Sequence, residues 1–320
     1  MPVNEAMATY SDYAFRSAVV IYLAAMLLHL GEYARIRAPK RLVAVGAGDD
    51  GAEAGPGDEP RAEGEAAERP WTERFGRMAV AMTVLGALLH AGSVATRGLA
   101  VDRWPWGNMY EFSSAITLFA VLAWLIVLRR NPGMRRVGAF LLLPVVILMF
   151  LGGTALYAQA APVVPALRSY WLAIHVTAVS LATGMLTVGG VASAMFLVRR
   201  PGGGNDRAGG FVASLPASDA LDRVAYRVTV IAFPLYTFAI MAGAIWAEAA
   251  WGRFWGWDPK ETVAFVAWVI YACYLHARST AGWRTGRAAW INVAGLVAVL
   301  FNLFFVNLVV AGLHSYAGVG

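Results

Sequence analysis

The chain carries an aromatic and charged stretch between two long apolar runs. It reads Trp251-Gly252-Arg253-Phe254-Trp255-Gly256-Trp257-Asp258-Pro259-Lys260-Glu261. Its charged residues make it too polar for the hydrocarbon interior of a bilayer. Because Trp combines an apolar ring with one N–H donor, it favours the membrane–water interface. The stretch therefore indicates a membrane protein with an aromatic platform at one membrane surface. The alternative interpretation is an aromatic belt with only a structural role.

The end of this stretch has the pattern of a helix start. Asp258 can accept hydrogen bonds from backbone N–H groups as an N-cap, Pro259 suits the first helical position, and Glu261 completes a capping box. A structural role is therefore the default for Asp258, and catalysis by this carboxylate is the less favoured interpretation.

The composition predicts an integral membrane protein. Of the 320 residues, 59% are hydrophobic and only 14% are charged, and several apolar runs exceed the roughly 20 residues that cross a bilayer as a helix. The runs lack the alternation of β-barrel strands, so the predicted fold is all-α and polytopic. The net charge of +6 does not indicate nucleic-acid binding, because the basic residues lie at the ends of the apolar runs. The single cysteine, Cys273, cannot form a disulfide framework.

Eight transmembrane helices are predicted. They cover about residues 12–33, 76–96, 111–128, 137–157, 170–198, 228–248, 260–277 and 289–313. Residues 1–42 contain the first helix and its flanks. Residues 43–70, rich in Gly, Ala, Glu and Asp, are predicted to form a disordered cytoplasmic loop. Residues 71–320 form the main transmembrane domain, which includes the tryptophan-rich external segment 246–261.

The distribution of Lys and Arg predicts the orientation. With the N-terminus outside, 20 of the 26 lie on the cytoplasmic side, in agreement with the positive-inside rule. Both termini, the loops 97–110 and 158–169 and the tryptophan-rich stretch are then predicted to lie outside. Asn108, three residues before Glu111, gives one outer loop a helix cap of its own, and Pro162-Val163-Val164-Pro165 is stiff and apolar. An outward-facing site is therefore expected.

Two of the five histidines are predicted at the depth of the tryptophan-rich stretch. His175 lies about one turn inside the outer end of the fifth predicted span, and His314 lies at the outer end of the eighth. Two imidazoles beside an aromatic surface suit haem, which takes one axial nitrogen on each face. Arg253 and Lys260 are candidates to pair with its carboxylates. For any single histidine, a hydrogen-bonded interior position is the competing interpretation.

The other three histidines are predicted at different places. His276 follows Pro259 by 17 residues, about 25 Å along a helix, so it is predicted near the inner surface. If it binds metal, it belongs to a second site. His29 is predicted at a matching depth, and a structural role is favoured for His90.

These residues resemble the cytochrome c assembly proteins of the CcsA/ResC family, the haem-handling half of the System II pathway. The family is marked by the tryptophan-rich signature WGxxWxWD (the WWD domain), which here is Trp251 to Asp258, continued by Pro259-Lys260-Glu261-Thr262. The resemblance covers most of the chain from about residue 97. The other matching pieces are Pro105, Asn108-Met109-Tyr110-Glu111, Val164-Pro165-Ala166-Leu167, Trp171, His175-Val176, Asp222-Arg223, Tyr226-Arg227, Tyr274-Leu275-His276-Ala277-Arg278 and Gly312-Leu313-His314-Ser315-Tyr316.

The resemblance implies two sites for haem b. It implies that His175 and His314 are the external ligands of the iron and that His276 is an intramembrane ligand. A CcsB/ResB-type membrane subunit supplies the other intramembrane ligand in the family, and His29 is the alternative within this chain. The implied cofactor contacts in the signature are Trp251, Trp255, Trp257 and Asp258.

The implied activity is that of a cytochrome c synthase in the bacterial plasma membrane. Haem would enter near His276 and move to the outer site. There, outside the cytoplasm, it would form thioether bonds with the CxxCH segment of apocytochrome c, whose thiols a thiol-reducing protein keeps reduced indirectly. Membrane lipid is a further expected partner, and no nucleic acid is expected.

Two other classes of membrane protein fit the sequence less well. A bis-histidine b-type cytochrome that transfers electrons would carry paired histidines on the same two helices, whereas the histidines here are spread over five predicted segments. A solute transporter would show internal repeats, and the sequence has no evident repeat. Both classes are therefore less favoured than haem attachment.

Overall fold

The computed structural model describes residues 3–34, 69–199, 211–280, 283, 286–310 and 312–313. The described residues form helices and connecting turns, and they include no β-strand, so the all-α prediction is confirmed. In chain order the helices are α1 (Glu5–Ala34), α2 (Arg69–Val101), α3 (Met109–Arg130), α4 (Gly138–Thr154), α5 (Tyr170–Arg199), α6 (Phe211–Ser214), α7 (Ser218–Trp251), α8 (Pro259–Ser279) and α9 (Gly286–Val309). Short 3₁₀ turns cover Pro132–Val137 and Pro165–Leu167.

Within the described ranges, seven helices are long and apolar enough to cross a membrane, which confirms a polytopic membrane protein. They are α1, α2, α3, α4 with its preceding 3₁₀ turn, α5, α7 and α9. The eighth predicted span, 260–277, forms α8 but is not among them. Its 21 residues are long enough, but Lys260, Glu261 and His276 make the helix less apolar than its neighbours.

Some boundaries differ from the prediction. Helix α2 begins at Arg69, and residues 43–68 of the predicted disordered loop 43–70 lie outside the described residues. His314 also lies outside the described residues.

The long helices pack mainly as neighbours in pairs. Helix α1 packs along α2, α5 along α7, and α8 along α9, while α3 lies against α4 and α5. The contact between α3 and α5 is very close at Gly184, where an added Cβ would lie 2.6 Å from the backbone nitrogen of Ala120. In a membrane, helix association depends on such close packing, because lipid tails are as apolar as the side chains they replace.

Both helix caps predicted from the sequence are confirmed. The side chain of Asn108 accepts a hydrogen bond from the backbone nitrogen of Glu111 at 2.9 Å. Asp258 caps α8 in a complete capping box with Glu261, and Pro259 is the first residue of the helix. The two caps begin α3 and α8 and fix where the preceding loops enter these helices.

Candidate functional site

The helix ends and loops predicted to lie outside converge on one pocket. The volume of this pocket, including the space at its open mouth, is about 1230 Å³. The loop before α3, the 3₁₀ turn Pro165–Leu167, helices α3, α5, α7, α8 and α9 and the tryptophan-rich stretch all contribute to its wall. Its aromatic lining residues are Trp106, Phe112, Tyr236, Trp246, Trp251, Phe254 and Trp255, and its ionisable ones are His175, Lys260 and Glu261. A concave, mostly apolar pocket with few polar groups is typical of a ligand site.

His175 is held in this wall by three features of α7. Its Nδ1 lies 2.7 Å from the carbonyl oxygen of Ala239, and its ring stacks on Trp246 with an interplanar angle of 10°. Gly243 packs against the ring. Because a carbonyl oxygen only accepts, Nδ1 carries the proton in the neutral ring and the lone pair is on Nε2. A backbone carbonyl that fixes the tautomer in this way is the usual support of a metal-binding imidazole.

Replacing Gly243 by Ala is expected to destabilise the protein by about 1–3 kcal/mol, the cost of overpacking a tight contact. The new Cβ would lie 2.7 Å from both Cε1 and Nδ1 of His175, so the ring has to shift away from Ala239. The measurement is the thermal unfolding midpoint in detergent. Gly92→Ala on α2 is the matched control, since an added Cβ there meets nothing within 4 Å. An equal midpoint for the two variants would contradict the prediction.

The tryptophan-rich stretch folds as a tight loop around the carboxylate of Glu261. Gly252 takes φ = 70° and ends α7 in the left-handed conformation, which glycine adopts without strain. Glu261 Oε2 then accepts hydrogen bonds from the backbone nitrogens of Gly256 at 2.9 Å and Asp258 at 3.1 Å. Trp257 also takes a positive φ, 57°, which is strained for a residue with a side chain. The loop is thus held by hydrogen bonds from its backbone nitrogens to the side chain of Glu261.

This loop separates the tryptophans that the sequence grouped as cofactor contacts. Trp251, at the end of α7, and Trp255 line the pocket. The side chain of Trp257 is 67% exposed and meets Trp255 edge-on with ring centroids 5.8 Å apart. Asp258 is buried and accepts hydrogen bonds from the backbone nitrogens of Lys260 and Leu313. Trp257 and Asp258 are not among the pocket-lining residues.

The two cations predicted to pair with carboxylates lie in different places. Lys260 lines the pocket, with its Nζ 5.7 Å from the ring centroid of Phe112. The guanidinium of Arg253 lies over Gly256, in the space that a Cβ of residue 256 would fill, and Arg253 is not a lining residue. Lys260 is therefore the member of this pair that lines the pocket.

A buried ion-pair network around Glu111 holds the loops 97–110 and 158–169, and the sequence did not predict it. Arg97 Nε and Arg103 Nη1 donate to the two Glu111 oxygens at 3.0 and 2.8 Å, and the Gly107 nitrogen donates to Oε2 at 2.7 Å. The same two arginines donate to the carbonyls of Ala158 and Ala161. The sequence indicated Glu111 only as the residue that follows the Asn108 cap by three positions. The network around its carboxylate joins the loop 97–110 to the loop 158–169 beside the pocket.

His29 and His90 are enclosed between helices. The His29 ring is fully buried and edge-on to Trp124 at 5.6 Å, and neither of its ring nitrogens has a hydrogen-bond partner within the described part of the chain. His90 is also fully buried, with its Nε2 2.9 Å from Ser114 Oγ. Neither lines the pocket that contains His175.

His276 is exposed near the opposite end of α8 from the tryptophan-rich loop. The adjacent Arg278 forms a bidentate pair with Asp222 at 2.6 and 2.9 Å and lies 4.9 Å above the ring of Tyr226. These contacts join α8 to α7 and leave the imidazole on an open face with Cys273, which is also exposed. The structure therefore separates His276 from the pocket of His175.

Comparisons of the sequence with protein families and with individual proteins point to the same family. A model of the family described as "Cytochrome C assembly protein" matches residues 106–314. Proteins named cytochrome c biogenesis protein CcsA are similar to this chain. The one from a Synechococcus strain is 41% identical, over 49% of this chain and 58% of its own length. The one from Chlamydomonas reinhardtii is also 41% identical, over 49% of this chain and 44% of its own length. The one from Synechococcus elongatus is 34% identical, over 75% and 85%. The chain thus spans roughly half the length of the first two and most of the third.

Proposed function

This chain belongs to the cytochrome c assembly protein family and acts in cytochrome c maturation, and we propose that it presents haem for covalent attachment to apocytochrome c. The haem is the b-type substrate of the reaction, and attachment takes place in the pocket of His175. This pocket faces away from the cytoplasm in the bacterial plasma membrane. A CcsB/ResB-type subunit completes the synthase, which belongs to the System II class.

The observation that carries this proposal is the hydrogen bond that fixes the ring of His175. A neutral imidazole with its Nδ1 proton bonded to the Ala239 carbonyl at 2.7 Å has its lone pair on Nε2, the donor that haem iron takes from histidine. The ring belongs to the wall of a pocket with aromatic sides. This donor chemistry fits haem, and His314 is the proposed second axial ligand.

The other lining groups suit the rest of the haem molecule. Trp251, Trp255 and Phe254 offer apolar faces to a flat macrocycle. The ammonium group of Lys260 is the cation proposed to pair with a haem propionate. The protein thereby fixes the orientation of haem, and holding reactants in one geometry is itself a large source of rate enhancement.

The attachment step needs no redox partner in its chemical balance. Each cysteine thiol of the CxxCH segment adds across one haem vinyl group, so that the S–H bond breaks and a C–S bond forms. The hydrogen ends on the other vinyl carbon, and no net electrons are transferred. The role proposed for this chain is to hold the vinyl groups where the thiols meet them. The histidine of CxxCH then replaces one of the two axial ligands.

Haem is proposed to enter through a second site at His276. The exposed position of this histidine on α8 supports a site shared with another subunit, because an imidazole on an open face is accessible to a group that a partner supplies. The CcsB/ResB-type subunit is the proposed source of the second ligand. The fully buried His29 is less suited to this role, because its enclosed ring leaves no room for a macrocycle.

The proposal is tested by visible absorption spectroscopy of the purified chain, alone and co-expressed with its partner subunit. We expect reduced spectra with the sharp bands of bis-imidazole haem, lost or shifted in His175→Ala and His314→Ala. Ile174→Ala, an exposed neighbour on α5, is the matched control for His175. Haem that is gained only with the partner and lost in His276→Ala would support the shared inner site, with Cys273→Ser on the same open face as control.

A chain that contains no haem under any of these conditions would overturn the proposal. Spectra identical to the wild type in His175→Ala would overturn the assignment of the outer ligand while leaving haem binding intact. Production of holocytochrome c in cells, measured by in-gel haem staining, distinguishes storage of haem from its attachment.

A further inference from the structure

We infer that Asp258 is a positioning residue for His314 and acts by holding the backbone that directly precedes this histidine. This inference rests on the proposed function, because it assumes that His314 binds iron. The sequence suggested only an N-cap or a cofactor contact for Asp258. The structure adds a contact that neither of these roles requires.

The carboxylate of Asp258 binds groups in two parts of the chain. It caps α8 by accepting hydrogen bonds from the backbone nitrogen of Lys260, at 3.0 Å to Oδ1, and from that of Glu261. Oδ2 accepts from the backbone nitrogen of Leu313 at 2.8 Å. The bond to Leu313 is not needed for helix capping, for which one accepting oxygen is sufficient. It links the start of α8 to a segment 55 positions away in the sequence. The side chain is only 6% exposed, so water competes little for this bond.

The segment before His314 is shaped to receive the carboxylate. A Cβ added to Gly312 would lie 2.7 Å from Asp258 Oδ2, so a glycine is needed for the backbone to approach this closely. A second bond leads from α9 to the same turn, because Asn302 Nδ2 donates to the carbonyl of Lys260 at 3.2 Å. The chain between Asn302 and Leu313 is therefore attached at both ends to the first turn of α8.

Asp258 is itself fixed by the loop that shapes the pocket. Its backbone nitrogen donates to Glu261 Oε2, which also receives the Gly256 nitrogen. Trp255, in the same loop, lines the pocket of His175. One rigid unit thus holds both an aromatic wall of the pocket and the residue before His314. Since ligand groups need placement to within a fraction of an ångström, a unit that holds Leu313 is suited to position the residue that follows it.

The test uses two substitutions that keep the cap and remove the second bond. In Asp258→Asn the amide oxygen can cap α8, but the NH₂ group cannot accept from Leu313. Asp258→Ser also caps and is too short to reach. Loss of one buried hydrogen bond to a charged acceptor shifts an equilibrium on the order of tenfold. We therefore expect a shift of that size from low-spin to high-spin haem in electron paramagnetic resonance of both variants, as in His314→Ala.

Added imidazole provides the decisive readout. If only the His314 ligand is lost, imidazole binds the vacated axial position and restores the low-spin signal, whereas a misfolded pocket is not restored. Gly312→Ala should give the same rescued phenotype with Asp258 intact. A wild-type signal in Asp258→Asn and Asp258→Ser would overturn the inference and leave the proposed function standing, as would a high-spin signal that imidazole does not restore.

Hydrogen exchange on protein prepared without haem separates the two proposals further. The peptide that contains Leu313 should exchange on the order of tenfold faster in Asp258→Asn than in the wild type, because its amide loses a buried acceptor. Unchanged exchange would overturn the inference. Wild-type protein that never binds haem would instead refute the proposed function, and the exchange result would still decide whether Asp258 holds this segment.

Discussion

Replacing Glu111 by Gln is expected to lower the free energy of unfolding by about 3–5 kcal/mol, the cost of removing one partner from a buried ion pair. The carboxylate is 1% exposed, and the Arg97 side chain that it binds is 3% exposed. Gln keeps the volume of the side chain but loses the charge, and its NH₂ group would face a guanidinium or the Gly107 nitrogen. The buried Arg97 then keeps only the longer ion pair of its Nη1 with Asp12 Oδ1 at 3.7 Å, and the partly buried Arg103 loses its carboxylate.

The measurement is an unfolding titration in a denaturing detergent, followed by the fluorescence of the tryptophans. Glu73→Gln on α2 is the matched control, since Glu73 is exposed and exposed ion pairs contribute at most about 1 kcal/mol. A Glu111→Gln variant as stable as Glu73→Gln would show that the network contributes little. Because Glu111 also binds the Gly107 nitrogen, haem occupancy should fall together with stability.

The sequence was sufficient to predict the helices, because their signals are local. Long apolar runs, the Asn108 cap and the Asp258 capping box are each contained within one segment of chain, and each is confirmed. The status of α8 as a span was not predictable in this way. Its length suits a membrane helix, but Lys260, Glu261 and His276 reduce its hydropathy, so the sequence predicts eight spans where seven helices qualify among the described residues.

The site was predictable only in outline. His175 and the tryptophans Trp251 and Trp255 were grouped by their expected depth, and they do line one pocket. The support of His175 could not be foreseen, because the Ala239 carbonyl and Gly243 lie on α7, more than sixty positions along the chain. The outward turn of Trp257 was missed for a related reason. Its positive φ belongs to a loop in which the backbone nitrogens of Gly256 and Asp258 donate to the Glu261 carboxylate, and no sequence period encodes it.

The sequence also did not predict where helices approach each other closely. One such contact, at Gly184 between α3 and α5, leads to a second prediction with a large expected effect on stability. Gly184→Leu is expected to destabilise the protein by about 3 kcal/mol, at the upper end of the range for overpacking. An added Cβ would lie 2.6 Å from the backbone nitrogen of Ala120 and 3.0 Å from the carbonyl oxygen of Ile116. These are main-chain atoms of α3, so no side chain can rotate away, and α3 and α5 have to separate.

That separation should also impair the pocket, because Ile116 on α3 and His175 on α5 both belong to its wall. We expect a lower thermal unfolding midpoint and reduced haem occupancy in Gly184→Leu, and a smaller decrease of both in Gly184→Ala. Gly92→Leu on α2 is the control, because an added Cβ there meets nothing within 4 Å and leucine favours a helix more than glycine does. Equal midpoints for Gly184→Leu and Gly92→Leu would mean that α3 and α5 have room to move apart, and the pocket would then owe its shape to the loops that Glu111 and Glu261 hold.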